Sequence, residues 1–128
     1  MRLSLVLFLA ACAPQPPAPG AAGPAEAVQD FAAAVQRGDS GTAWGLLSSR
    51  TQAEATRLAR AGRPDAGDGR GMLFGSALPL SQETVLGVDQ GDASSAEVRT
   101  SPPDGGAGRT FHVVREGDRW RIDLALSR

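Results

Sequence analysis

Lysine, asparagine and tyrosine are absent from the 128 residues, and histidine and cysteine each occur once. One histidine with scattered acids gives no metal-ligand spacing, so neither a metal nor another cofactor is expected. Without lysine the chain has no phosphate-binding P-loop. Its 13 arginines face 14 acidic residues, for a formal net charge of −1. Because nucleic-acid binding needs a basic excess or stripe, no nucleic-acid partner is expected.

The single cysteine, Cys12, follows an apolar run that starts at Leu3. The run is shorter than the roughly 20 residues that span a bilayer, and Arg2 before it completes the pattern of a signal peptide. Leu9-Ala10-Ala11-Cys12 resembles the lipobox of bacterial lipoproteins. This resemblance implies a diacylglyceryl group on the thiol, removal of residues 1–11, and acylation of the new amino terminus, with palmitate as an expected acyl chain.

Cleavage by ordinary signal peptidase after Ala13 is the alternative, but it would leave Pro14 beside the broken bond, where proline makes a poor substrate. Two or three acyl chains anchor a protein stably, whereas one holds it only reversibly. We therefore expect a protein tethered by lipid to the bacterial cell envelope, without a transmembrane helix. Lipoproteins retained at an inner membrane often carry aspartate at the position of Ala13, so the resemblance implies the outer membrane in a cell that has two.

Residues 13–24 are rich in proline and alanine and have almost no polar recognition groups. Such a segment extends about 3.1 Å per residue, which predicts a linker that holds the domain away from the lipid. A ligand for a proline-binding domain is the alternative, because Pro16 to Pro19 spell P-x-x-P. The predicted organisation is a signal peptide over 1–11, the lipidated cysteine and linker over 12–24, and one α+β domain over 25–128.

Three helices are predicted before the first strand. The first has Pro24 in its first turn, and Gly38 follows its last turn. Its apolar residues recur at intervals of three and four and form one stripe of Val28, Phe31, Ala32 and Val35.

The second predicted helix is short, carries Trp44, and has Ser40 as its N-cap. The third begins with a capping box of Ser49 and Gln52.

Antiparallel strands are predicted for the second half of the chain. The segments ETVLGVDQ and SSAEVRT are joined around Gln90-Gly91-Asp92, and RTFHVVR and RWRIDLAL form a closing hairpin around Glu116-Gly117-Asp118. Alternation places Trp120 and Ile122 on an apolar face together with Phe111.

The helix ending FAAAVQRGD, the helix pair AWGLLSSRTQ and the hairpin VVREGDRWRIDLAL together resemble the small bacterial lipoprotein members of the nuclear transport factor 2-like superfamily. The similarity covers most of residues 25–128. It implies a cone in which helices pack on the concave face of a curved antiparallel sheet. Enzymes of this superfamily, such as ketosteroid isomerase-like and dehydratase-like members, place Asp or His inside the cone, whereas many other members only bind or scaffold.

Acid–base chemistry has few candidates in this chain, namely His112, Asp123 and Asp30. If Trp120 faces the helices, alternation puts His112, Arg121 and Asp123 on the opposite face of the sheet. There they form either a solvated cross-strand cluster or an interface, including one through which two copies pair. A serine triad is not indicated, because no G-x-S-x-G segment accompanies the histidine.

A ligand-binding domain would instead have an apolar cavity, and the candidate lining residues are Trp44, Phe74 and Trp120. The sequence therefore predicts a lipid-anchored, non-catalytic envelope domain that binds a protein or a small apolar ligand, with no catalytic residue assigned. The alternatives are an isomerase-like or lyase-like enzyme of the same fold, and a structural envelope lipoprotein.

Overall fold

The computed structural model describes residues 19–75 and 83–126. The predicted leader, the lipobox with Cys12 and the first part of the linker lie outside the described residues. The described elements are α1 (Pro24–Gln36), α2 (Ser40–Gly45), α3 (Ser49–Gly62), α4 (Arg70–Phe74), β1 (Thr84–Asp92), β2 (Ser95–Ser101), β3 (Arg109–Glu116) and β4 (Arg119–Asp123). Within these ranges no helix has the length and apolar character needed to cross a membrane.

The chain is an α+β protein whose strands form a four-stranded antiparallel sheet in the order β1-β2-β3-β4. Four helices precede β1 in the described chain, where the sequence predicts three. The additional helix, α4, is a five-residue turn over a segment that the sequence analysis leaves without an element. Phe74 at its end packs on Phe31 of α1, with ring centroids 6.3 Å apart, so tertiary contact supports a helix too short to be stable alone.

Helix caps differ from the sequence prediction by one residue in two places. Asp39, not Ser40, caps α2, and its carboxylate accepts a hydrogen bond of 3.1 Å from the Thr42 amide. Ser48, not Ser49, caps α3, and its hydroxyl accepts from the Thr51 amide at 3.1 Å. Both caps satisfy amide groups that the first turn of a helix leaves without partners.

The turn between β1 and β2 lies later than predicted. β1 continues through Gln90-Gly91-Asp92, with a register shift at Gly91, and the turn is formed by Ala93 and Ser94. The Asp92 carboxylate accepts hydrogen bonds from the Ser94 amide at 2.7 Å and from its hydroxyl at 2.9 Å. Asp92 thus forms a side-chain turn that reverses the chain after the glycine.

The hairpin of β3 and β4 agrees with the sequence prediction. Glu116 pairs with Arg119, which leaves Gly117 and Asp118 as a two-residue turn. Gly117 has a φ of +65°, the left-handed value that tight hairpins require at their first central residue.

The core lies between α1, α2 and one face of the sheet. Trp120 is 7% exposed and Ile122 is fully buried, which confirms the predicted apolar face of the hairpin. α1 contacts all four strands. The buried residues form one hydrophobic cluster, which includes Val28, Phe31, Leu46, Leu47, Val98, Phe111, Val113, Trp120 and Ile122.

The outer edge of β4 is closed by two segments from the first half of the chain. Ala21 and Trp120 exchange backbone hydrogen bonds of 2.9 and 2.8 Å. The Ile122 amide donates to the Leu46 carbonyl at 2.7 Å, and the Ser48 amide donates to the Ile122 carbonyl at 2.8 Å. Ala21 belongs to the predicted linker over 12–24, yet it is buried and packs on β4.

Candidate functional site

The predicted interface residues lie together on the outer face of the sheet. His112 of β3 pairs in register with Asp123 of β4. Val114, two residues after His112 on β3, pairs with Arg121 of β4. His112 is exposed, whereas the other two are half-buried. The Arg121 guanidinium lies against the carbonyls of Leu47 and Pro19, at 3.5 and 3.4 Å, so it joins β4 to the segments at its edge.

Asp123 belongs to a hydrogen-bonded group that we call the Asp123 cluster, made of Ser48, Arg50, Thr51 and Asp123. The Ser48 hydroxyl donates to Oδ1 of Asp123 at 2.6 Å. The Arg50 guanidinium binds both carboxylate oxygens at 3.0 Å. Thr51 accepts a hydrogen bond of 2.8 Å from the Leu124 amide. The cluster therefore fastens the first turn of α3 to the end of β4.

The charge of Asp123 is stabilised by these partners. Burial raises the pKa of the Asp123 carboxyl, but hydrogen bonds from Arg50 and Ser48, together with the charges of Arg50 and His112, outweigh burial and lower the pKa below its usual 3.8. The carboxylate is thus ionised at neutral pH and acts as a hydrogen-bond acceptor. A group in this state stabilises the fold and is a weak general base.

The geometry around Ser48 does not match a catalytic triad. In a triad a histidine lies between the hydroxyl and the carboxylate, whereas Ser48 donates directly to Asp123. The Ser48 side chain is also buried and caps α3. These contacts assign Ser48 and Asp123 to the connection between α3 and β4.

The three aromatic residues of the predicted cavity all contact the hydrophobic cluster, and each of the clefts discussed for the described residues is lined by one of them at most. Trp120 is part of the cluster, and Trp44 and Phe74 pack against it from α2 and α4. Trp44 lines a cleft on α3 together with Gln52 and Arg57. Neither Phe74 nor Trp120 lines any of the clefts described below. The aromatic pocket therefore stays a prediction.

A cleft of about 650 Å³ separates α1 from the start of β1, and we call it the α1–β1 cleft. One wall is the exposed side of α1, the other is the chain entering β1, and Pro103 from the β2–β3 connection closes one end. Its lining residues are Gln29, Asp30, Ala32, Ala33, Glu83, Thr84, Val85 and Pro103.

Glu83 is the unusual residue of this cleft. Its side chain is 0% exposed, and neither carboxylate oxygen has a hydrogen-bond partner. Nε of Arg109 lies 3.7 Å from Oε1, close enough for charge attraction but too far for a hydrogen bond. A buried carboxylate is costly unless donors satisfy its oxygens. Glu83 is therefore an enclosed carboxylate that faces the charge of Arg109 but accepts no hydrogen bond.

The sequence analysis did not identify Glu83, because little in the surrounding sequence distinguishes it from an ordinary surface acid. The residue precedes a strand, where an isolated acid is normally solvated, and no motif surrounds it. Asp30, which the sequence analysis considered as a candidate, lines the same cleft from α1 and is exposed. The pairing of these two carboxylates across the cleft follows from the position of α1 on the sheet, which periodicity does not reveal.

A second cleft, of about 560 Å³, lies on the other side of α1 against α2 and the start of β4. Its lining includes Arg37, which already has a partner, and Asp30, which also lines the α1–β1 cleft. Arg37 binds the Asp39 carboxylate at 3.1 Å, and Asp39 accepts further hydrogen bonds from Thr42. We therefore regard the α1–β1 cleft as the better candidate for a binding site.

The described residues contain no group of three or more His, Cys, Asp or Glu side chains that could hold a metal ion. Comparisons of the chain with protein-family models, curated proteins and solved structures found no match.

Proposed function

We propose that this protein is a lipid-anchored lipoprotein of the bacterial cell envelope whose domain binds a small ligand, without chemical conversion, in the α1–β1 cleft. The observation that carries the binding function is the α1–β1 cleft itself, an opening of about 650 Å³ whose lining combines the polar side chains of Gln29, Asp30 and Thr84 with apolar ones. A bound ligand would hydrogen-bond to these polar groups, and the adjoining Val85 and Ala32 would contact its apolar part.

The described carboxyl groups that have a shifted pKa serve the fold. General acid–base catalysis works best when a side chain has a pKa near the working pH. Every resolved carboxyl pKa shift is downward, which keeps these groups ionised at neutral pH: Asp39, Glu54, Asp92 and Asp123. Each of them accepts hydrogen bonds from neighbours in the fold and so has a structural use.

The envelope location is supported by the leader. Leu9-Ala10-Ala11-Cys12 has the composition and position of a lipobox, and the proline-rich residues after it suit a spacer. The acyl chains would hold the protein at the membrane surface, in the outer membrane where a cell has two. The ligand would then be captured outside the cytoplasm.

We also propose that the domain has the cone-shaped architecture of the nuclear transport factor 2-like superfamily. The contacts of α1 with all four strands support a sheet that curves around this helix. In such an arrangement the α1–β1 cleft lies along the rim of the cone, beside the edge strand β1.

Ligand mapping by NMR tests the binding function. Hexylammonium, hexanol and hexanoate would be titrated separately into the full chain carrying Cys12→Ser, which removes the lipid. We expect amide shifts to change at Gln29, Thr84 and Val85 with at least one probe, and Gln29→Trp, which narrows the cleft, to weaken the response.

Gln36→Trp is the matched control. Gln36 lies seven residues along the same helix, is exposed, and does not line the cleft. If none of the three probes shifts the cleft amides, or if both tryptophan variants weaken binding equally, the α1–β1 cleft is not the binding site and the proposal is wrong.

A further inference from the structure

A cleft of about 670 Å³ lies where Trp44 of α2 meets the exposed side of α3, and we call it the Trp44 cleft. It shares no lining residue with the α1–β1 cleft. Two arginines line it, Arg57 and Arg60, and none of its described lining residues is acidic. The other lining residues are Ser49, Gln52, Ala53 and Thr56. The Trp44 cleft therefore places positive charge beside an aromatic ring.

The charge of both arginines is accessible. The side chain of Arg57 is 62% exposed, and its Nε and Nη2 donate to the Glu54 carboxylate at 3.0 and 2.7 Å. This pair leaves Nη1 without a partner among the described residues, and an exposed ion pair is weak, so the guanidinium can bind a second anion. Arg60 is exposed and donates to the backbone carbonyls of Ala66 and Gly67, which carry no net charge. The positive charge of the cleft is thus only partly balanced.

The indole ring of Trp44 gives the cleft an apolar surface. The residue is half-buried, so part of its side chain is open to solvent, and the exposed Ala53 adds a methyl group. Cζ of Arg70 lies 6.0 Å from the ring centroid, a cation–π arrangement that brings a third positive charge near Trp44. Aromatic rings stack on indole and on guanidinium groups. The cleft therefore suits a ligand that combines a flat ring with a negative charge.

We infer that the Trp44 cleft binds an aromatic acid, with the carboxylate at the guanidinium groups of Arg57 and Arg60 and the ring against Trp44. This second site goes beyond the proposed function and does not depend on the α1–β1 cleft. A carboxylate accepts paired N–H donors from a guanidinium group, which is planar and permanently charged. A cation is repelled by the same groups, and a neutral ring gains only the contact with Trp44.

Benzoate, benzamide and benzylammonium test the charge of the ligand, because they have the same ring and differ in charge. Each is titrated into the full chain carrying Cys12→Ser, and binding is measured from the amide shifts of Ala53 and Thr56. We expect benzoate to bind about fivefold more tightly than benzamide, as an exposed ion pair implies, and benzylammonium to bind least. Inorganic phosphate should bind more weakly than benzoate, because it has no ring to contact Trp44.

Two pairs of variants then locate the site. Arg60→Gln should reduce the preference for benzoate over benzamide to less than about twofold, whereas Arg63→Gln removes the same charge from an exposed residue just after α3 and should preserve it. Ala53→Glu places a carboxylate in the cleft and should abolish benzoate binding, whereas Ala61→Glu, exposed on the same helix outside the cleft, should not. Because Ala53 is exposed, Ala53→Glu decides if Arg60→Gln does not fold.

Each contrary outcome overturns a stated part of the inference. Benzamide that binds as tightly as benzoate overturns the acidic ligand class, and inorganic phosphate that binds as tightly overturns the role of Trp44. Equal effects of Ala53→Glu and Ala61→Glu overturn the location, and absence of benzoate shifts at Ala53 overturns the site. The Thr84 amide reports on the α1–β1 cleft separately, so failure here is distinguishable from failure of the proposed function.

Discussion

Ala21 and Trp120 exchange two backbone hydrogen bonds, so a residue from the predicted linker pairs with the last strand of the sheet. A chain that starts at Ala25 lacks both bonds, and we expect it to unfold about 1–3 kcal/mol more easily than one that starts at Pro19. Urea unfolding followed by tryptophan fluorescence measures the difference. Equal midpoints for the two chains would show that the Ala21 contact adds nothing.

Asp123 should make stability depend on pH. Its pKa in the folded protein lies below the usual 3.8, so its stabilisation is present above that value and is lost as the pH falls through the folded pKa. At about pH 6 we expect Asp123→Asn to lower the free energy of unfolding by about 2 kcal/mol, as hydrogen bonds to a charged group suggest.

The difference between wild type and Asp123→Asn should shrink steadily below about pH 4, because the unfolded chain then binds a proton that the folded Asp123 carboxylate takes up only at still lower pH. Asp118→Asn, in the exposed hairpin turn, is the control and should change stability by less than about 0.5 kcal/mol. A difference that stays constant down to about pH 2 would contradict the assigned role of the charge.

Trp120 should be among the largest single contributors to stability. Its ring is 7% exposed and lies in the hydrophobic cluster, and replacing a buried aromatic side chain by alanine costs about 3–5 kcal/mol. Trp44→Ala, at a half-buried position, should cost clearly less. Denaturant unfolding of the two variants compares them, and similar losses would mean that burial does not decide their contributions.

His112 should contribute little to folding. The side chain is exposed on the outer face of the sheet, so we expect His112→Ala to change stability by less than about 0.5 kcal/mol. Val113→Ala, at the next position but fully buried, should cost about 2 kcal/mol. Sedimentation of His112→Ala also tests whether this face joins two copies, in which case the dimer weakens while the monomer keeps its stability.

Cys12 should be the site of lipid attachment. Cells given a fatty-acid analogue should incorporate it into the wild-type chain and not into Cys12→Ser, because a hydroxyl does not form the thioether. The wild-type protein should fractionate with membranes and the variant should not. Equal labelling of the two chains would contradict the lipobox assignment.

The periodic spacing of apolar residues correctly predicted the helix and strands that bury only one face. The stripe of α1 and the alternation around Trp120 and Ile122 each specify one apolar face, and the structure buries both. The caps were harder to predict, because Asp39 and Ser40, like Ser48 and Ser49, are adjacent acceptors of similar capping strength. Asp123, which is 75 residues away from Ser48, binds its hydroxyl and fixes the choice in α3.

The candidate site was less accessible to sequence analysis. Asp30 and Glu83 are far apart in the chain and share no motif, and their common cleft arises because α1 crosses the sheet beside β1. The burial of Glu83 also opposes the usual exposure of acids. A binding site made by the packing of two elements leaves little trace in either element alone.

The bulges of β1 affect how readily two copies of the chain could pair through their sheets. An exposed strand edge can pair with the same edge of a neighbouring molecule and start aggregation. Register shifts at Leu86 and Gly91 interrupt the regular ladder of β1 at two places, and Leu86 is 61% exposed at the first of them. An interrupted edge is a poor template for a second chain. The proposed lipid anchor would concentrate molecules in a plane, where the irregular edge would favour separate monomers over fibrils.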